Sequence, residues 1–183
     1  EARAEGVIFT SGGTEANVFA VRGIKLGKVV AEPESHPSVT DAIRETDSNE
    51  VVLISSVTTD NKLGRKIREE RKKNNSQYPL LHIDASQSTQ YFNVGLEALS
   101  CDLLTLDSAK LYGPKGIGAL IIRKGVTLNL PPLGTPTVPL IAGMARALEI
   151  AARDREAERK RLELLSAEFK EAIQSVFPLA SVV

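Results

Sequence analysis

Six short apolar runs, rich in Val, Ile or Leu, alternate with stretches of helical spacing over the first two thirds of the chain, and this alternation limits the fold more than any other feature. The runs cover residues 6–10, 28–32, 51–55, 80–84, 103–106 and 119–123, and helices are expected over 14–24, 37–45, 65–74 and 95–99. Strands apolar along their whole length are buried on both faces, so the pattern predicts an α/β fold with a mostly parallel sheet sandwiched by helices. Sheets of this kind bind ligands beyond the carboxyl ends of their strands. The residues that follow each run are therefore where chemistry is sought.

Composition narrows the class of partner. The 183 residues carry 23 Lys plus Arg against 23 Asp plus Glu, a neutral balance that favours small molecules or proteins over nucleic acid or an anionic membrane. Cys101 is the single cysteine and cannot form an internal disulfide, and no apolar run reaches the ~18 residues that a membrane span needs. A soluble, cytoplasmic protein is expected. The opening residues Glu1 to Glu5 lack the pattern of a secretory signal and read as the middle of a helix, so preceding sequence is expected to be missing. From Pro139 the spacing of Leu140, Met144, Leu148 and Ala151 predicts one long helix, or two in line, ended by Phe177 and Pro178. Its charged stretch 153–161 mixes both signs and reads as a solvated face.

Lys110 and Asp84 carry the chemistry. Each stands at or just beyond the end of an apolar run. A lysine amine that can form a Schiff base, with a carboxylate to keep a pyridine nitrogen protonated, is the minimum equipment for holding pyridoxal 5'-phosphate. Gly13 and Thr14 lie between the first strand and first helix, where backbone N–H groups and the helix dipole attract phosphate; an ordinary turn and N-cap is the plainer explanation of the same residues. His36, before Pro37, can stack on a cofactor ring or move protons, or be a simple loop histidine. Gln87 and Asn61 can each donate to a phenolate oxygen. Two histidines, His36 and His82, and one cysteine give a metal site little support.

Four ordered stretches, 9–17 (FTSGGTEAN), 36–39 (HPSV), 82–87 (HIDASQ) and 110–120 (KLYGPKGIGAL), together resemble the cysteine desulfurases of the NifS-like branch within the class-V aminotransferase superfamily. The resemblance implies a fold-type-I pyridoxal phosphate enzyme, a homodimer that removes sulfur from L-cysteine and leaves alanine and an enzyme persulfide. It further implies a sulfur-acceptor protein and a place in iron–sulfur cluster assembly. It makes Lys110 the Schiff-base lysine, Asp84 the partner of the pyridine nitrogen, His36 the ring-stacking residue, Gln87 the donor to the ring oxygen, and Gly13 with Thr14 the phosphate cradle. Asn61 matches more loosely, and Gly134-Thr135 resembles the pair that reaches the neighbouring subunit's phosphate.

The departures from the family are specific. Family members carry Ser-x-His-Lys where this chain has Asp107-Ser108-Ala109-Lys110, so a charge replaces a phosphate-binding serine, and Ser108 is expected to compensate. The family's C-terminal small domain, which holds the nucleophilic cysteine and the substrate-carboxylate arginine, has no counterpart here, and Cys101 reads as a buried structural thiol. Residues 1–150 are thus expected to form the large cofactor-binding domain and 151–183 a connecting helix toward that absent small domain. The connections after His36 and Gly64 are short for the family. The residues are therefore expected to be parts of a longer polypeptide, with a truly reduced relative as the alternative. Another class-V aminotransferase or selenocysteine lyase activity, or a catalytically silent scaffold subunit, are the rival functions.

Overall fold

The computed structural model describes residues 6–178; the Glu1 to Glu5 segment read as helical lies outside them. The elements in chain order are β1 (Val7–Thr10), α1 (Gly13–Arg22), β2 (Lys28–Ala31), α2 (Pro37–Thr40), β3 (Val51–Ser56), α3 (Lys62–Lys73), β4 (Leu80–Asp84), β5 (Leu103–Asp107), a 3-10 turn (Ser108–Leu111), β6 (Gly118–Ile122) and α4 (Val138–Val176).

One six-stranded sheet has the order β1-β6-β5-β4-β3-β2. Strands β2 to β5 pair in parallel, and β6 runs antiparallel to both β5 and β1. Strand β1 consequently points the same way as β2 to β5. The carboxyl ends of five strands meet at one rim, and the loops leaving them carry Gly13, His36, Val57, Asp84 and Lys110.

Alternate side chains of the central strands supply two cores. Leu80 and Leu103 face α1, packing with Ala16, Ala20 and Val21, while Leu81, Ile83, Leu104 and Leu106 face Ile67 of α3 and Met144 of α4. Burying each such Leu or Ile stabilises the fold by about 1.5–3 kcal/mol before entropy is counted. Small residues on the inner face of α1 bring its axis close to the sheet. Its N-terminus is thereby held at the rim, where a ligand would lie.

The expected helix over 37–45 is a single turn, Pro37–Thr40. Beyond Ile43 the chain reads Arg-Glu-Thr-Asp-Ser-Asn-Glu, which has no apolar face to bury, and so the helix stops. Residues 95–99 likewise make one hydrogen-bonded turn, Leu99 N–H to Gly95 O at 2.9 Å, closed by Ser100 with φ 56°. Helix α3 begins three residues earlier than periodicity indicates. Helix α4 is continuous for 39 residues, so the division expected at 150/151 falls inside it. Its first half buries Met144, Ala147 and Ala151, whereas Leu164, Phe169 and Val176 of the second half are exposed. The charged stretch forms ion pairs along the helix, such as Arg159 with Glu156 and Arg161 with Glu158, and is mostly exposed, with Arg155 half-buried and donating to the Thr89 carbonyl at 3.4 Å.

Candidate active site

The rim holds a cavity of about 620 Å³ lined by Gly13, Thr14, His36, Asp84, Gln87 and Lys110. These are six of the nine residues expected from the sequence to surround one ligand. They arrive from four strand ends or the loops that follow them, those of β1, β2, β4 and β5. The parallel strands bring together residues nearly 100 positions apart.

Lys110 sits on the outer side of the 3-10 turn that follows β5. Asp107 caps that turn by accepting the Ala109 N–H at 2.9 Å, and Tyr112, with φ 56°, closes it. Gly113 then folds back so tightly that a Cβ there would collide with Ser108 Oγ. This glycine gives the Tyr-Gly-Pro turn its fixed exit.

Asp84 is held by two donors. Ser86 N–H reaches Oδ1 at 3.0 Å, and Asn17 Nδ2 reaches Oδ2 at 2.7 Å. The same Asn17 amide donates to Ser38 Oγ at 2.9 Å, and Ser38 Oγ lies 2.8 Å from His36 Nδ1. Because His36 Nδ1 also accepts the Ser38 N–H at 3.1 Å, the proton of a neutral ring belongs on Nε2. One chain of hydrogen bonds, passing through the buried Asn17 and Ser38, thus orients both the exposed imidazole and the half-buried carboxylate.

Three expected residues are elsewhere. Ser108 is fully buried against Gly113 and does not line the cavity, which corrects its expected role as a phosphate donor. The Asp107 carboxylate stands at the cavity instead, accepting the Gly13 N–H at 3.2 Å. Asn61 precedes α3 as its N-cap and does not line the cavity either. Thr135 lines a separate cavity of about 300 Å³ with Ser11 and Phe19.

Asn17, Ser38 and Ser86 were not expected. Asn17 could have been found, because it follows Gly13 by one helical turn and shares a face with Ala16 and Ala20, a polar side chain on a stripe that must be buried.

The model of the aminotransferase class-V family matches residues 35–133. The chain belongs to the class-V aminotransferase family. The mitochondrial cysteine desulfurase of Drosophila melanogaster is 28% identical over 218 residues, covering 94% of the chain and 47% of that protein. The aligned length exceeds the chain's 183 residues, so that relative carries internal segments this chain lacks. The chain spans about half the length of the curated relatives it matches. Among solved structures, a NifS-like protein superposes with a TM-score of 0.76 at 23% identity, over 94% of the chain and 60% of its own. SspA in complex with cysteine gives 0.59 at 23% identity, over 79% and 55%. These likenesses establish the fold.

Class-V aminotransferases of this type depend on pyridoxal phosphate. The residues present fit its ring and aldehyde: Asp84 is pre-oriented, His36 is fixed beside it, and Lys110 reaches the same cavity. The phosphate end has Gly13 and Thr14 at the start of α1, with the Asp107 carboxylate against them.

Proposed function

We propose that this chain is the cofactor-binding part of a pyridoxal phosphate-dependent cysteine desulfurase, which takes sulfur from L-cysteine and leaves alanine and an enzyme persulfide. The observation that carries the reading is the meeting of Lys110 and Asp84 on one cavity at the carboxyl rim. The curated relatives named cysteine desulfurase and the cysteine-bound neighbour support the substrate. Bound there, the cofactor would supply an electron sink for the substrate's α-carbon.

The chain's own residues divide the remaining work. Asp84, steadied by Asn17 and Ser86, would hold the pyridine nitrogen; His36 would cover the ring; Gln87 would donate to the ring oxygen. Lys110 Nζ would link to the aldehyde and is the amine in the cavity able to move a proton at the α-carbon. The thiolate that receives the sulfur must come from outside residues 1–183, because Cys101 is the only cysteine and is buried. Thr135, exposed and away from the Lys110 cavity, is suited to a neighbouring subunit, which supports a homodimer. A sulfur-acceptor protein, iron–sulfur cluster assembly and a cytoplasmic setting complete the reading.

The test is alanine production from L-cysteine, with sulfide released from the persulfide by an added thiol reductant, by the full-length protein supplied with cofactor, with Lys110→Ala as the control. Lys110-dependent alanine formation is expected. Turnover of selenocysteine or of amino-acid and keto-acid pairs, without turnover of cysteine, would move the protein to another class-V activity.

A further inference from the structure

The cavity that holds Lys110 and Asp84 ends at the N-terminus of α1, and a carboxylate of the chain already stands there. Asp107 Oδ2 accepts the Gly13 N–H at 3.2 Å while Oδ1 accepts the Ala109 N–H at 2.9 Å. The approach is close: a Cβ at Gly13 would lie 3.2 Å from Asp107 Cβ and 2.9 Å from Ser86 Oγ. Helix α1 receives no cap from its own preceding residue, Gly12, so Asp107 reaches in from the end of β5 to serve as its anion.

First-turn N–H groups of a helix attract negative charge. With Asp107 fixed on them, the same spot presents a carboxylate to any incoming anion. Asp84 and Glu34 also line the cavity against one lysine, Lys110, and among the described residues no Lys, Arg or His side chain is paired with Asp107.

We propose that Asp107 is a built-in occupant of the anion-binding end of this cavity, so that the site takes pyridoxal, the aldehyde without a phosphate, at least as well as pyridoxal phosphate. This rests on the cofactor reading above. Both ligands bring the same aldehyde to Lys110 and the same ring nitrogen to Asp84, and only the phosphate meets Asp107.

Equilibrium dialysis of the full-length protein against each ligand tests it, using wild type, Asp107→Ser, Asp107→Asn and Lys110→Ala. In wild type, pyridoxal phosphate is expected to bind no more tightly than pyridoxal. Either Asp107 replacement should tighten the phosphorylated ligand roughly 100-fold and change pyridoxal by less than about threefold, as removal of an opposed like charge from a partly enclosed site predicts. Wild type that binds pyridoxal phosphate far more tightly than pyridoxal, in a Lys110-dependent way, overturns the proposal and leaves the cofactor reading standing. Binding of neither ligand, or binding indifferent to Lys110→Ala, overturns both. The wild-type comparison decides the proposal even where a variant fails to fold.

Discussion

Asn17 Nδ2 lies 2.7 Å from Asp84 Oδ2, which ties the second turn of α1 to the end of β4. Asn17 is 2% exposed, and its other recorded bond goes to Ser38 Oγ. Cutting the amide away leaves a carboxylate and a hydroxyl without their buried donor, a loss of about 1–3 kcal/mol. Asn17→Ala is therefore expected to lower the unfolding free energy by that amount, seen as a lower urea midpoint, and to weaken ligand binding at Lys110, because Asp84 and His36 lose their common brace. An unchanged midpoint in chemical denaturation would refute the role given to Asn17.

His82 makes stability depend on pH. It is fully buried in β4, with Nδ1 2.9 Å from Ser55 Oγ of β3 and Nε2 2.9 Å from Thr105 Oγ1 of β5. Burial pushes its imidazole down from 6.5 to about 4, against a smaller upward pull from Asp84. Between those values the unfolded chain binds a proton that the folded chain refuses. The contribution is thus fully present above the unfolded value and is lost as pH falls toward 4, in total about 3 kcal/mol. Urea midpoints measured from pH 7.5 to 4.5 should fall over this window. The fall should be shallower in His82→Gln.

The strands were legible because burial on both faces demands unbroken apolar runs; β4 coincides with its expected 80–84. Local signals sufficed for Lys110, Asp84, His36 and Gln87 as well, since each follows a strand that must end at the rim. Ser108 was misplaced for a geometric reason. In a 3-10 turn residues three apart eclipse, so Ser108 shares the buried side with Leu111, and Asp107 shares the cavity side with Lys110. A sequence does not announce that three-residue period over so short a span. The helix expected over 37–45 shortens to 37–40, and that expected over 95–99 is a turn, because their apolar residues satisfy helical spacing for one turn only, which periodicity cannot distinguish from the start of a longer helix.

Asp102 carries a buried charge that two arginines answer. Its Oδ2 is 2.8 Å from Arg71 Nη2 and accepts the Leu81 N–H at 2.8 Å, and Oδ1 is 3.5 Å from Arg123 Nε. Its side chain is 4% exposed. Asp102→Ala leaves the Leu81 N–H without its acceptor and Arg71 with only the Gln77 carbonyl, whereas Arg123 keeps Glu97 and the Leu96 carbonyl, at a cost of about 3 kcal/mol. The Lys25–Glu50 pair is the contrast, with side chains 43% and 55% exposed. Glu50→Gln should change stability by less than about 1 kcal/mol in the same denaturation measurement.

Cys101 should behave as a structural thiol. It is 0% exposed, precedes β5, and burial pushes its thiol up to about 12, far from the range in which a thiolate forms at neutral pH. A thiol must ionise and be reached before it can attack sulfur, and Cys101 fails on both counts. Alkylation followed by mass spectrometry should find Cys101 unmodified in the native protein, at a rate at least roughly 1,000-fold below that of an exposed cysteine, and fully modified in urea. Cys101→Ala should accordingly leave Lys110-dependent ligand binding intact while lowering stability modestly. Rapid native labelling at this position would instead require the chain around 96–101 to open, exposing the turn that the Leu99 and Cys101 backbone bonds to Gly95 and Leu96 hold shut.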